Sequence, residues 1–342
     1  MDHSNAAQFQ RPLHVQLLES PELDAASAQA ITQIYARTHS LCESAFLEGC
    51  SDQRSEFHTT LHALLSTHSA HPHSWGAHNH LSRVAFEIRK ALWERYLGYE
   101  LGRLATLDVD PVPEDPESLT EYLTEINAYH EASHHPVFAY LCDAAPLADV
   151  KAFFFQESRL DAHFDDLIAL AQIGLDGPVK DEYADNFADE MGHGDPDRVH
   201  ANLFRNTSAY VLDHGHMEHA VQTEPFTEAL ACSNMQLGMA LDRRHVWRLA
   251  GYLAALELNA PFRCQQLVSA CERHGMKRNR LGYLTEHIDA DVGHAAGFFE
   301  EIIKPLAASD RRAPLEISQG FLLRLQTSKD YCDAILDSFL KQ

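Results

Sequence analysis

The sequence predicts an all-α protein, and three observations carry the prediction. Apolar residues recur at helical spacing in segment after segment. Helix-boundary chemistry stands where those segments begin and end, with Pro178 and Asp195-Pro196 as starts and His274-Gly275 as a stop. No stretch alternates with period two between turn residues, so strands are not expected. A chain of 342 residues without an internal repeat is expected to form one or two domains, here as an irregular helical bundle.

From the N-terminus, the first helix is expected over Pro21–Phe46, with Ser20 as N-cap and Ala, Ile and Leu at helical intervals. A second follows from about Gln53 to Thr67. The run HSAHPHSWGAHNH (68–80) crowds five histidines around a proline and a glycine and reads as a solvated loop. Leu81–Leu107 is a long helix carrying Phe86, Leu92, Tyr96 and Leu97. The acidic, proline-containing DVDPVPEDPE (108–117) is the clearest break. It is either an interdomain linker or a long loop, and it sets an N-terminal helical region (1–110) apart from the remainder (111–342).

Leu119–Ala132 is helical again, and HHPVFAYLCDAAP (134–146) turns into a helix over Leu147–Ile173. A Gly-Leu-Asp-Gly-Pro turn places Pro178 at the first turn of a helix running Val179–Met191. After Gly192-His193-Gly194, Asp195 and Pro196 open a helix to Leu212. DHGHMEH (213–219) is a second histidine-rich loop. Helices follow over Phe226–Leu241, Val246–Glu272 (interrupted mildly at Asn259-Ala260-Pro261), Tyr283–Ile303 stopped by Pro305, and Pro314–Leu340.

Composition narrows the function classes. A net charge of −23 repels nucleic acid and anionic membrane alike, so neither is an expected partner. No apolar run is long enough to span a bilayer, and the N-terminus lacks the basic-then-apolar layout of a signal peptide, so the cytoplasm is the expected location. The seven cysteines form no CxxC; Cys264 and Cys271 share one face of an apolar helix and read as core.

The residues that carry chemistry begin with His287, Asp291 and His294. On a helix this i, i+4, i+7 spacing brings the three within about 60° of one another. Two imidazoles and a carboxylate side by side suit a borderline divalent ion such as iron, manganese or zinc; the bland reading is a solvated polar face. Carboxylates in apolar settings are the other informative class, because burying one without a partner costs several kcal/mol. Glu257 lies in YLAALELNAP, with Leu253, Ala254 and Pro261 around it on the helix face; its structural reading is a partner for Arg263, Arg244 or Arg248. Glu157 follows three phenylalanines and a glutamine, with Arg159 or Lys151 as local partners, and Asp161 or Asp165 can fill the same role. Glu190 ends a helix just before the Gly-His-Gly break, and His200, or alternatively His193, supplies an imidazole nearby.

This set resembles the heme-oxygenase-like diiron oxidases, the iron-containing redox enzymes. Their order of ligands is matched by Glu190 and His200, then Glu257, then His287-x3-Asp291-x2-His294, with Glu157 as the earlier carboxylate. The phrases FFFQES, GLDGP, NFADEMGHGDP, RVHANLF and GYLAALELNAP are also similar to longer members, and the resemblance spans roughly residues 120–305. It implies a heme-oxygenase-like bundle with an N-terminal helical extension that helps form a homodimer. It further implies two Fe(II) ions bound by Glu157, Glu190, His200, Glu257, His287, Asp291 and His294, with O2 as co-substrate. Glu257 would bridge; Glu190 and His200 would serve one iron with one triplet histidine, and Glu157 with Asp291 and the other histidine would serve the second. The expected substrate is a small amino acid or amine undergoing N-oxygenation, desaturation or oxidative C–C cleavage, with Arg159, Arg205 or Arg263 near the ligands as a cation for its carboxylate. Metal binding in the family is labile, and Gly293, costing about 1 kcal/mol relative to Ala within the triplet helix, fits that expectation. The competing readings are a ligand-binding protein of the same fold without a working iron site, and an iron-storage protein. Ferritin-type sites pair two Glu-x-x-His motifs, a spacing these ligands lack.

Overall fold

All regular structure is helical in a computed structural model of the chain, which describes residues 12–19, 23–158, 164–215 and 225–341. Among these residues there is no strand. The chain divides into two compact units, Met1–Thr106 and Leu107–Gln342.

The first unit contains α1 (Leu13–Leu18), α2 (Ala28–Ser44), α3 (Ser51–Leu65), α4 (Trp75–Asn79) and α5 (Arg83–Leu104). The helix expected from Pro21 starts later. Leu23–Ala25 forms a 3-10 turn, and Ser27 caps α2 by accepting a hydrogen bond from the Ala30 amide at 3.2 Å. The expected cap, Ser20, lies outside the described residues. Asp24 in the 3-10 turn accepts from the Ser82 hydroxyl (2.7 Å) and the Val84 amide (3.1 Å), fixing the start of α5. His58 is wholly buried with Phe46, Phe57 and Tyr96 around its ring, and burial pushes its pKa down to about 3. The histidine-rich run 68–80 is not all loop, since α4 forms within it, and it contributes to neither group of close potential ligands found among the described residues.

The second unit runs α6 (Pro116–Tyr129), α7 (Pro136–Asp143), α8 (Leu147–Glu157), α9 (Phe164–Ala171), α10 (Gly177–Glu190), α11 (His200–Asp213), α12 (Thr227–Leu241), α13 (Val246–Arg273), α14 (Gly282–Gly297), α15 (Lys304–Ser309) and α16 (Ala313–Leu340). The axis of the unit is the pair α13 and α16, each 28 residues long. They approach closely because both present glycine at the crossing. A methyl group on Gly251 would lie 2.0 Å from the Ile317 carbonyl oxygen, and one on Gly320 would lie 1.8 Å from that of Arg248. α14 also packs along α13 and meets α11, while α8 packs on α11. An apolar core including Phe138, Phe153, Phe154, Cys264, Val268, Cys271, Leu284 and Ile335 binds these elements together. All seven cysteines are free.

Three segments depart from the sequence reading. The single helix expected over Leu147–Ile173 is two, α8 and α9, with residues 159–163 outside the described set. Asp195 and Pro196 open only a 3-10 turn (Pro196–Arg198), and α11 begins at His200. Pro305 does not stop the ligand-bearing helix. After α14 the backbone winds as a π-helix over Phe298–Ile303 and continues into α15, where Pro305 occupies the first turn. Pro305 withholds the amide that would bond back into the preceding turn, and the π-wound segment directly before it is where that disturbance falls.

Candidate metal centre

Each predicted ligand is placed by a helix for a local reason. Glu190 is the last residue of α10 and His200 the first of α11, and the chain between them reverses through three residues with positive φ: Gly192 (64°), His193 (49°) and Gly194 (88°). Gly192 is required by space as well as by conformation, because a Cβ there would meet the backbone carbon of Arg198 at 2.8 Å. Glu257 projects from the middle of α13, and His287, Asp291 and His294 from one side of α14.

These side chains meet as two groups. Glu190, His200 and His287 form one, and Glu257, Asp291 and His294 the other; within each, the potential ligand atoms lie within 4.8 Å of one another. In the first group, His200 Nδ1 is 3.1 Å from Glu190 Oε1, and the His200 and His287 ring centroids are 4.6 Å apart. In the second, His294 Nδ1 is 3.5 Å from Asp291 Oδ1 and 3.7 Å from Glu257 Oε2. The Nδ1–H of His287 donates to the Tyr283 carbonyl at 2.7 Å, which leaves Nε2 as the nitrogen that would meet a metal in the first group.

The electrostatics are those of a site short of positive charge. Glu190, Glu257 and Asp291 are at most 4 % exposed, and among the described residues no lysine or arginine pairs with any of them. Neither oxygen of Asp291 has a hydrogen-bond partner, an arrangement that buried carboxylates rarely tolerate. Burial raises the pKa of Glu257. Burial opposes charge on His294, yet Asp291 and Glu257 outweigh it and hold its pKa far above the usual histidine range. Burial likewise opposes charge on His287, where Asp291 and Glu190 prevail and raise it. A cluster of oxygen and imidazole donors with unsatisfied carboxylate atoms fits divalent iron.

Glu157 stands apart from the two groups. It lines the same cavity as Glu190, Glu257, His287 and Asp291, but its Oε2 accepts from Arg263 Nη2 at 2.9 Å, while Oε1 is buried without a partner. Arg263, offered by the sequence as a partner for Glu257, thus pairs with Glu157 instead; Arg244 pairs with Asp242, and Arg248 with Glu316. Of the alternatives to Glu157, Asp161 lies outside the described residues, and Asp165, on α9, belongs to neither group. The alternative to His200, His193, is largely exposed and faces Asp189.

Two residues of this region escaped the sequence reading. Asp189 reaches between the groups, with Oδ2 3.2 Å from His294 Nε2 and 3.9 Å from His200 Nε2. Arg324 of α16 is buried, lines the cavity that holds the ligands and the neighbouring cavity beside Tyr331, and has its guanidinium over the Tyr252 ring. Among the described residues no carboxylate is paired with it. The cavity encloses about 660 Å³, counting the space where it opens to solvent, and Phe154, Phe204, Leu256 and Leu267 give it apolar walls. Of the other cations the sequence offered, Arg205 is exposed beside Asn202, and Arg159 lies outside the described residues.

A family model described as iron-containing redox enzyme matches residues 151–329, just over half of the chain. That span contains all seven predicted ligands, Asp189 and Arg324. A search of curated proteins finds no match.

Proposed function

We propose, from the premise that this chain belongs to the iron-containing redox enzyme family and is a heme-oxygenase-like oxidoreductase, that its two ligand groups hold two Fe(II) ions and that it oxidises a small amino acid or amine with O2. The observation that supports this most strongly is the pairing of three buried carboxylates with three imidazoles and no lysine or arginine among the described residues. Two divalent ions would satisfy that charge, and with Glu157 as a fourth carboxylate the balance is four against four.

Bound iron supplies the redox and dioxygen chemistry. The side chains do the rest. Glu190, His200 and His287 would hold one ion, and Glu257, Asp291 and His294 the other. The Tyr283 carbonyl occupies Nδ1 of His287, so this ring would bind metal through Nε2. The apolar walls keep water from the reacting end of the substrate. Arg324 receives the substrate carboxylate, which supports the amino-acid assignment: among the described residues no carboxylate pairs with this buried guanidinium, and an incoming anion would meet its charge. N-oxygenation, desaturation and C–C cleavage are all reactions open to such a substrate.

The homodimer remains part of this proposal. Leu81, Phe86 and Trp75 of the first unit are exposed apolar residues that a second copy could cover, and light scattering of the full chain against the Phe86→Glu variant tests it. No helix among the described residues is long and apolar enough to cross a membrane.

Anaerobic loading with Fe(II) followed by O2 tests the centre itself. Two irons per chain and O2 uptake accelerated by an added amino acid are expected. Fewer than two irons, or uptake indifferent to every amino acid tried, overturns the assignment.

A further inference from the structure

The three imidazoles of the centre share a pattern that extends beyond the ligands. Each turns one nitrogen toward its own carboxylates. The second nitrogen of His287 is occupied by the Tyr283 carbonyl. The second nitrogens of His200 and His294, which belong to different groups, both face Asp189 Oδ2, at 3.9 and 3.2 Å. That oxygen is buried and makes no aligned hydrogen bond, so it is available to accept one. The other oxygen, Oδ1, is 3.1 Å from His193 Nε2. His193 reaches back over Asp189 from a left-handed backbone conformation between two glycines. Few residues other than glycine adopt that conformation, and histidine is among those that do so most readily.

We propose that Asp189 is the positioning carboxylate of the centre, accepting Nε2–H from His294 so that this ring presents Nδ1 to the metal, and that His193 anchors it. Asp189 would then set the tautomer of His294 in the second group, while its charge, 3.9 Å from His200 Nε2, also lies beside a ligand of the first. The inference rests on the diiron reading above. A carboxylate behind a ligating histidine fixes the ring and raises its basicity, and its loss typically weakens metal binding by roughly 10- to 100-fold.

The test is Fe(II) affinity and stoichiometry, measured anaerobically against a competing chelator, for the wild type, Asp189→Asn and His193→Ala. Metal-free melting of each variant and the absorption bands of the Co(II)-loaded forms are recorded alongside. Expected are two metals per chain throughout, affinity lowered roughly 10- to 100-fold in Asp189→Asn and less in His193→Ala, shifted Co(II) bands, and little change in metal-free melting. Unchanged affinity overturns the proposal. A loss of one metal per chain makes Asp189 a ligand and also overturns it, as does an equal loss of stability with and without metal. Failure of the wild type to bind two metals is a separate result, which sinks the diiron reading and this inference with it.

Discussion

Replacing Arg263 by methionine separates two roles for Glu157. Both charges are largely buried, with side-chain exposures of 19 % and 7 %, and their contact is 2.9 Å. Removing one partner of a buried pair costs about 3–5 kcal/mol. Residual exposure of Arg263 and the opening of the cavity to solvent temper this, while loss of the guanidinium over the Phe138 ring adds roughly 1 kcal/mol. A destabilisation of about 3 kcal/mol is therefore expected in the metal-free protein, measured by urea unfolding. If Glu157 must leave Arg263 to reach iron, the loaded variant is spared that part of the penalty. A charge-assisted hydrogen bond worth about 1.5–3 kcal/mol then appears as Fe(II) affinity roughly 10- to 100-fold tighter than wild type. Anaerobic titration against a chelator, with unfolding in the presence and absence of Fe(II), reads both quantities. An equal penalty in the two states would show that Glu157 stays with Arg263 and that the centre has three carboxylate ligands.

Other outcomes follow from the same geometry. Gly251→Ala or Gly320→Ala must push α13 from α16 against backbone atoms, so each should cost about 2 kcal/mol or more in urea unfolding, whereas Gly293→Ala meets nothing within 4 Å and should stabilise α14 by roughly 1 kcal/mol; stabilisation by all three would refute the packing argument. Arg324→Gln should raise KM for an amino-acid substrate by roughly 30-fold or more with a smaller effect on kcat, and Arg324→Lys should recover part of it; an unchanged KM removes Arg324 from substrate binding. His58 is neutral in the folded chain down to about pH 3, while the unfolded chain binds that proton near 6.5. Stability of the first unit should thus fall as pH drops through this window, by up to several kcal/mol, and His58→Leu should flatten that part of the profile; parallel profiles for the two proteins would contradict it.

Much of the helical outline was legible because amphipathic spacing and end signals are local properties. The His287–Asp291–His294 face followed from periodicity alone, and Glu257 from its apolar neighbours. What depended on distant parts of the chain was not legible. Glu157 found its cation 106 residues away on α13, where only Arg159 and Lys151 stood nearby in sequence. Asp189 was hidden inside the acidic run NFADEMGHGD, adjacent to the chosen Glu190, and the glycines flanking His193 were its one local hint. Arg324 was overlooked although FLLRLQ surrounds it with apolar residues, the same signal that identified Glu257. The π-wound turn leaves no sequence mark, because it uses the same residue preferences as an α-helix.

That turn has a consequence for how the chain tolerates change. Between Phe298 and Ile303 the helix closes hydrogen bonds at i→i+5, so it holds one residue more than an α-helical path of the same phase. Phe298, Ile302 and Ile303 are buried within it, and α15 and α16 take their bearings from where it ends. Deleting one residue there would return the segment to ordinary winding, and the faces on either side would stay in phase. Deleting one residue from Gly282–Gly297 would instead rotate His287 and Asp291 by roughly 100° relative to His294 or to the core. Length variation along this helix should therefore be confined to six positions, and an insertion or deletion elsewhere in it would mark a chain that has lost its centre.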